Sequence, residues 1–326
     1  MTRALICGTL NGPDALRLEA VTTPDPRPGE IRVAIHASGL NFPDLLMSRG
    51  QYQLKPDLPF APGFEAAGVV DAVGVGVTRF REGDRVMVRR WWGCHAEAIT
   101  VPEEAGLLLP AGFSFAEGAT FMVATSTAIN AVMQRGQLLA GETLLVHGAA
   151  GGVGLAAVEI GKLLGGRVIA TASSEEKLAV ARSRGAEIGI NYAREDFRQA
   201  VLDATGGQGA DVVFDPVGGD VFEKSLRCMA WGGRILVIGF TSGRIPEIRV
   251  NQALLKCISV VGVRAIEHLV RKPAEGVAYQ KQMLEWAGQG HLRPNVSHIY
   301  PFEQWRDALA AMESRAGIGR IALAMR

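Results

Sequence analysis

The run His147-Gly148-Ala149-Ala150-Gly151-Gly152-Val153-Gly154 lies between an apolar strand, 143–146, and an apolar helix, 155–164. A pyrophosphate requires this order. Glycines admit close backbone approach, and a helix N-terminus offers unpaired N–H groups to the anion. The run departs from G-x-G-x-x-G because Ala149 replaces the first glycine, while Gly151 and Gly154 keep the other two. Ala150, Gly151, Gly152, Val153 and Gly154 are therefore the expected phosphate contacts. The plainer alternative is a tight turn between two packed elements.

A second strand, 167–172, ends roughly twenty residues after the glycines, where an acidic residue would hold the ribose hydroxyls of NAD. Here the chain reads Ser173-Ser174-Glu175-Glu176-Lys177. Small hydroxyls at Ser173 and Ser174 leave room for a 2′-phosphate, and Lys177 supplies positive charge. The expected coenzyme is NADPH. Ser174 also suits a helix cap, and Glu175 and Glu176 oppose a phosphate unless they turn away.

These groups need a scaffold. From 143 to 262 apolar strands alternate with helices, which predicts a doubly wound parallel sheet. Later strands are expected at 212–215, 233–239 and 258–263, with helices over 177–184 and 221–229. Strand ends form the ligand crevice of such sheets, which places Ile238, Gly239 and Phe240 there. Residues 1–110 read as short strands punctuated by Gly, Pro and Asp, among them the alternating 31–37, and suggest a compact β-barrel. Residues 116–134 read as helical. Helices are also expected near 278–289 and 302–315, and the apolar end 321–325 is expected to return as a strand to the first domain.

The 326 residues carry 34 basic and 33 acidic side chains, a net charge of +1, so no nucleic acid partner is expected. Hydrophobic residues make up 48%, enough for large cores. Four scattered cysteines, Cys7, Cys94, Cys228 and Cys257, form no C-x-x-C and suit a reducing compartment. No signal peptide core and no membrane span are expected, so the expected location is the cytoplasm. The apolar run 258–263 would end an open sheet, and such an edge is normally covered or paired; a homodimer is expected.

Several motifs carry a resemblance over essentially the whole chain. They are Ser38-Gly39-Leu40-Asn41-Phe42-Pro43-Asp44, Pro62-Gly63-Phe64-Glu65-Ala66-Ala67-Gly68, Phe80-Arg81-Glu82-Gly83-Asp84-Arg85-Val86, Gly148–Gly154, Asp215-Pro216-Val217-Gly218-Gly219 and Gly319-Arg320-Ile321-Ala322-Leu323. The chain resembles the medium-chain dehydrogenase/reductase superfamily, and within it the zinc-free quinone oxidoreductases related to zeta-crystallin. The resemblance implies a GroES-like catalytic domain over 1–124 and 265–326, and a Rossmann domain over 125–264. It also implies catalytic positions at Asn41, Tyr52 and Arg264. Coenzyme contacts are implied at Asn41, Thr127, Tyr192, Val217 and Arg320, beside those read from the glycine turn and strand ends.

Catalytic zinc needs Cys or imidazole ligands with one open position. Alcohol dehydrogenase relatives carry Cys where this chain has Asn41 and His where it has Phe64, and their four-cysteine lobe is absent. Cys94 and His95 are adjacent and are expected to be ordinary strand residues. No metal is expected. An acceptor reduced without a Lewis acid must be electron-poor, so the expected reaction is hydride transfer from NADPH to a quinone. Asn41 is the expected donor to substrate oxygen, or a turn residue serving its own backbone. Asp44 is expected to orient a neighbour or to cap a helix over 45–49. Tyr52 is expected to bond the acceptor, or simply to pack. Thr127 would start a helix. Leu46, where relatives often carry Tyr, suggests a more apolar pocket. Reduction of an α,β-unsaturated carbonyl or an enoyl thioester is the near alternative. A non-catalytic NADPH-binding or RNA-binding crystallin-like protein is the alternative of another class.

Overall fold

The computed structural model describes residues 1–315 and 317–326. The chain divides into two units, Met1–Val123 with Pro294–Arg326, and Ala124–Arg293. The first segment carries β1 (Thr2–Cys7), β2 (Leu16–Val21), β3 (Glu30–Gly39), β4 (Glu65–Val73), β5 (Arg85–Arg89), β6 (Ala98–Pro102) and β7 (Gly106–Leu108). The second unit carries β8 (Thr143–Val146), β9 (Arg167–Ala172), β10 (Ile188–Asn191), β11 (Ala210–Asp215), β12 (Met229–Val237) and β13 (Ser259–Gly262). The chain then returns to the first unit as β14 (Val296–Pro301) and β15 (Arg320–Ala324).

In the first unit the strand order is β14-β15-β3-β4-β5-β7, with β6 also on β3. The ten-residue β3 is its centre. β15 runs antiparallel to it, pairing Ala322 with Gly39 and Ala324 with Ala37, so the end of the chain does return as a strand. The alternation expected over 31–37 gives way to near-complete burial from Val33 onward, because the helix Phe115–Gly118 packs over β3 and β4. After β3 comes the helix Phe42–Ser48. It starts three residues earlier than the expected 45–49. Asn41 is its N-cap, and of the two roles expected for Asp44 the structure shows the orienting one: it sits at the third helical position and accepts the Asn41 N–H at 2.7 Å. Pro43 fits the first turn, whose N–H groups lack partners in any case.

In the second unit all pairings are parallel and the order is β10-β9-β8-β11-β12-β13. The order reverses between β8 and β11, the switch point beside which such sheets bind ligands. Strands such as β8 and β9 are buried almost throughout, as a parallel sheet requires. Leu145, Ile169, Val213 and Ile235 form the middle of the core.

Three further expectations are corrected here. The segment 265–293 falls with the second unit, not the first. Its helices Ala265–Arg271 and Pro273–Gly288 tie back to residues 126–134: His268 Nε2 lies 2.9 Å from Gln134 Nε2, and Ser126 Oγ lies 4.0 Å from Met283 Sδ. The helix expected over 116–134 is three pieces, Phe115–Gly118, Met122–Ala128 and a π-helical stretch Ile129–Arg135. The first break falls where Thr120 turns its hydroxyl back onto the Ala116 carbonyl at 2.9 Å. Thr127 thus lies near the end of a helix, not at its start. Among the described residues no helix is long and apolar enough to cross a membrane.

Candidate active site

The glycine turn sits at the end of β8 and opens the helix Gly152–Leu163. Gly151 is its N-cap, with no side chain capping the first turn. The N–H groups of the first turn have no intrahelical acceptor and carry the positive end of the helix dipole. Gly148 has φ +57°. A Cβ at Gly154 would lie 2.3 Å from the Gly148 carbonyl oxygen, so only glycine fits there. Ala150 and Val153 complete the turn, with Gly151 N–H closing onto Gly148 O at 2.9 Å.

At the end of β9, Ser174 caps the helix Glu175–Ser183 by accepting the Lys177 N–H at 3.3 Å. Lys177 Nζ donates to Ser173 Oγ at 3.4 Å. The cation therefore stands beside the Ser173 hydroxyl. Glu175 turns to Arg182 at 3.4 Å, away from them. Tyr192 is 51% exposed, and its N–H bonds the Ala172 carbonyl at 3.1 Å, which brings it to the same strand end.

The ends of β8, β11 and β12 meet. Buried Asp215 accepts the N–H groups of Val217 at 2.8 Å and Gly218 at 3.0 Å; burial raises its carboxyl above the ordinary range, and these bonds oppose the shift. Ile238 N–H bonds Asp215 O at 3.0 Å, and Thr241 N–H bonds Pro216 O at 3.0 Å. Gly239 and Phe240 lie between, and Val217 faces Gly148. Arg264 leads the helix Ala265–Arg271, with its side chain 58% exposed and 3.7 Å from Glu267. Thr127 is half-buried in the helix Met122–Ala128.

The first unit holds a buried polar cluster. Arg320 Nη2 donates to Glu65 Oε1 at 2.5 Å and to Asn41 Oδ1 at 2.9 Å. Asn41 Nδ2 donates to Glu65 Oε1 and to Gly39 O, both at 3.2 Å. Glu65 Oε2 accepts the Val123 N–H at 2.9 Å. The Asn41 amide, expected to face a substrate oxygen, has thus spent both donors and its acceptor inside the protein. Burial pushes the Glu65 carboxyl up, and Arg320 beside it is the main opposing influence. Arg89 is directly across the sheet from Glu65, which sets both side chains on one face. Burial lowers the Arg89 pKa, with the Glu65 charge opposing. Arg89 Nη1 and Arg320 Nε are both shut from solvent and have no acceptor.

Asp44 links this cluster to His95. Its Oδ1 accepts the Gly63 N–H at 3.0 Å, and its Oδ2 lies 3.3 Å from His95 Nε2. His95 Nδ1 is 2.6 Å from Ser38 Oγ. His95 was expected as an ordinary strand residue; it is a fully buried imidazole in the segment between β5 and β6. Tyr52 meets Phe64 edge-on at 5.9 Å between ring centroids, so the ring packs against the residue preceding Glu65.

These residues do not fit a catalytic zinc site. Asn41 and Phe64 offer no zinc ligand of the usual kind. Cys94 is buried, and desolvation drives its thiol far above the ordinary range. Asp44 and Glu65 are committed to hydrogen bonds. Among the described residues no group of three or more His, Cys, Asp and Glu side chains is disposed to hold a metal ion.

Sequence reasoning found the glycine turn and the Ser173–Lys177 loop. It missed Arg89, the bonds of Asn41 to Glu65 and Arg320, and the burial of His95; Asp44 does orient its neighbours, as one of its two expected roles requires. No local spacing links Glu65 to Arg320, or Asp44 to His95. The alternation of β4 and β5 was the one available signal for Arg89.

Residues 27–130 match the alcohol dehydrogenase GroES-like domain, and residues 152–277 match the zinc-binding dehydrogenase domain. The chain is 37% identical to quinone oxidoreductase-like protein 2 of Rattus norvegicus over 325 residues, covering 99% of this chain and 92% of that protein. It superimposes on the NADPH complex of Escherichia coli quinone oxidoreductase with a TM-score of 0.91 at 30% identity, covering 99% of each chain. It superimposes on the CurK enoyl reductase with a TM-score of 0.90 at 27% identity, covering 100% of this chain and 99% of that one. The chain belongs to the medium-chain dehydrogenase/reductase superfamily, in its zeta-crystallin-like quinone oxidoreductase branch, and is an oxidoreductase of that type.

Proposed function

We propose that this oxidoreductase binds NADPH and reduces quinones by hydride transfer without a metal ion. The observation that carries the reading is the donor set around Asn41: an amide, a phenylalanine and an internally neutralised Glu65–Arg320 pair stand where a zinc enzyme needs ligands. Nothing in that set stabilises an alkoxide, so the acceptor must be electron-poor. The NADPH complex of the Escherichia coli relative supports the coenzyme.

Bound NADPH supplies the hydride. Ala150, Gly151, Gly152, Val153 and Gly154 hold the pyrophosphate on the first turn of their helix. Ser173, Ser174 and Lys177 take the 2′-phosphate, with Tyr192 beside the adenosine. Val217, Ile238, Gly239, Phe240 and Thr127 receive the nicotinamide side. Arg320 keeps Asn41 fixed through Nη2. Tyr52 bonds the acceptor oxygen, and Arg264 lines its path. Beyond the hydride that NADPH would supply, a quinone would need one proton to become the hydroquinone, and solvent would provide it.

The second reading is reduction of an enone or enoyl thioester, which the likeness to the CurK enoyl reductase favours. NADPH consumption with a quinone, a 2-alkenal and an acyl thioester decides. The proposal expects the highest kcat/KM with the quinone. Consumption with the thioester alone would replace it.

The reading includes a homodimer in the cytoplasm. Strand β13 ends the sheet, and Val260, Val250, Leu254, Leu255 and Ile245 near it are 45–83% exposed. All four cysteines are free thiols. Light scattering at twice the chain mass supports the dimer; a single-chain mass refutes it.

A further inference from the structure

His147 directly follows β8, at the entry to the glycine turn, and is buried to 2% exposure. Neither ring nitrogen lacks a partner. Nε2 lies 2.8 Å from Ser225 Oγ, on the helix Gly219–Ser225. Nδ1 lies 3.0 Å from Thr171 Oγ1, on β9. The directions follow from the hydrogens. Ser225 donates its single hydroxyl hydrogen to the Val221 carbonyl at 2.6 Å, so it can only accept from His147. Nε2 therefore carries the imidazole hydrogen, and Nδ1 accepts from the Thr171 hydroxyl. The chain of bonds runs one way, from Thr171 through His147 and Ser225 to Val221.

This places one rigid ring between two loops. Gly148, the next residue, begins the glycine turn. Thr171 stands two residues before Ser173 and three before Ser174. A backbone bond from Ala149 N–H to Thr171 O at 3.1 Å joins the same two strand ends. The Phe197 ring packs edge-on against the imidazole at 4.9 Å, leaving it little freedom to turn. Burial holds the ring neutral, with a pKa lowered to about 3.

We infer that His147 is a positioning residue that sets the spacing between the pyrophosphate turn and the 2′-phosphate loop, and so governs the preference for NADPH over NADH. It touches no coenzyme itself. The inference rests on the proposed use of NADPH. The wild-type dissociation constants test that use; the change between wild type and variant tests the inference.

The direct experiment is equilibrium titration of NADPH and of NADH, by nucleotide fluorescence, into wild type, Thr171→Val, Thr171→Ser and His147→Phe. Thr171→Val keeps the shape and removes the hydroxyl that orients the ring. It is expected to raise the Kd for NADPH about fivefold, the worth of roughly one hydrogen bond, and that for NADH less than about twofold. Thr171→Ser restores the hydroxyl and should return both values close to wild type. His147→Phe should act as Thr171→Val does or more strongly. Equal changes for the two coenzymes, no change, or failure of Thr171→Ser to rescue would overturn the inference and leave His147 a core residue. Imidazole ¹⁵N spectra of the wild type give a second readout that needs no variant. They should show the neutral ring protonated at Nε2 from pH 5 to 8, whereas the Nδ1–H form would overturn the chain of bonds. A wild type that prefers NADH would end the NADPH reading alone, because the ratio of the two affinities would still report whether Thr171 acts through His147.

Discussion

Glu65 and Arg320 lie 255 residues apart in sequence and 2.5 Å apart in the structure, both buried. The start of β15 delivers the guanidinium; the start of β4 delivers the carboxylate. The Asn41 side chain, with a hydrogen bond to each of them, is held between the two.

Breaking this pair should be costly. Arg320→Leu leaves the Glu65 charge with no buried cation bonded to it and should destabilise by about 3–5 kcal/mol. The double variant Glu65→Gln, Arg320→Leu should recover a large part of the loss. Urea unfolding of the four proteins checks this; additive effects would show that the two residues are not coupled.

Arg89 should behave in the opposite way. Its Nη1 is buried without an acceptor, and Glu65 is already bonded to Arg320. Replacing Arg89 by Leu removes a poorly satisfied charge and should be neutral or stabilising, by up to about 2 kcal/mol. A loss above about 1 kcal/mol in urea unfolding would make Arg89 a necessary counter-ion of Glu65.

The glycine turn gives a graded test. Gly154→Ala sets a methyl 2.3 Å from the Gly148 oxygen, whereas Gly151→Ala meets the same oxygen at 3.3 Å. NADPH affinity should fall at least about tenfold in the first and less in the second, because only the first forces the backbone to move. Fluorescence titration reads both, and equal effects would contradict the assigned geometry.

Two buried groups shape the pH dependence of stability in opposite senses. His147 has a folded pKa lowered from 6.5 to about 3, so its contribution is present above pH 6.5 and is lost as pH falls toward 3, by up to about 1.4 kcal/mol per pH unit. Glu159 has a folded pKa raised from 4.5 to about 7 by burial, against the pull of Arg184 at 2.7 Å. Its contribution is present below pH 4.5 and is lost as pH rises through 7. Glu159→Gln should therefore flatten the decline between pH 5 and 7 while leaving the acid limb in place. Unfolding midpoints measured across pH 4–8 check it; an unchanged slope above pH 5 would contradict the burial of an ionising carboxyl.

The parts of the fold that repeat locally were legible. The glycine turn, the alternation of strands with helices after 143 and the hydroxyl loop at Ser173 and Ser174 follow from short-range patterns, and the sheet is parallel as expected. Boundaries set by long-range contacts were not. The segment 265–293 joins the second unit because its helices meet residues near Ser126 and Gln134, which no periodicity reveals. The helix at 42 starts early because Asn41 and Asp44 satisfy one another's groups, a reciprocal arrangement hidden by the proline between them. Asn41 was expected to serve a substrate oxygen or its own backbone; it does bond Gly39 O, while its partners Glu65 and Arg320 come from distant strands and were not legible.

The central claim is tested most directly by single-turnover reduction of a quinone with NADPH deuterated at the transferred position, in protein whose zinc content has been measured. The account predicts deuterium loss from the coenzyme, a slowed transfer relative to unlabelled NADPH, and the full rate in protein that holds far less than one zinc per chain. A rate that rises in proportion to bound zinc and vanishes with a chelator would contradict it.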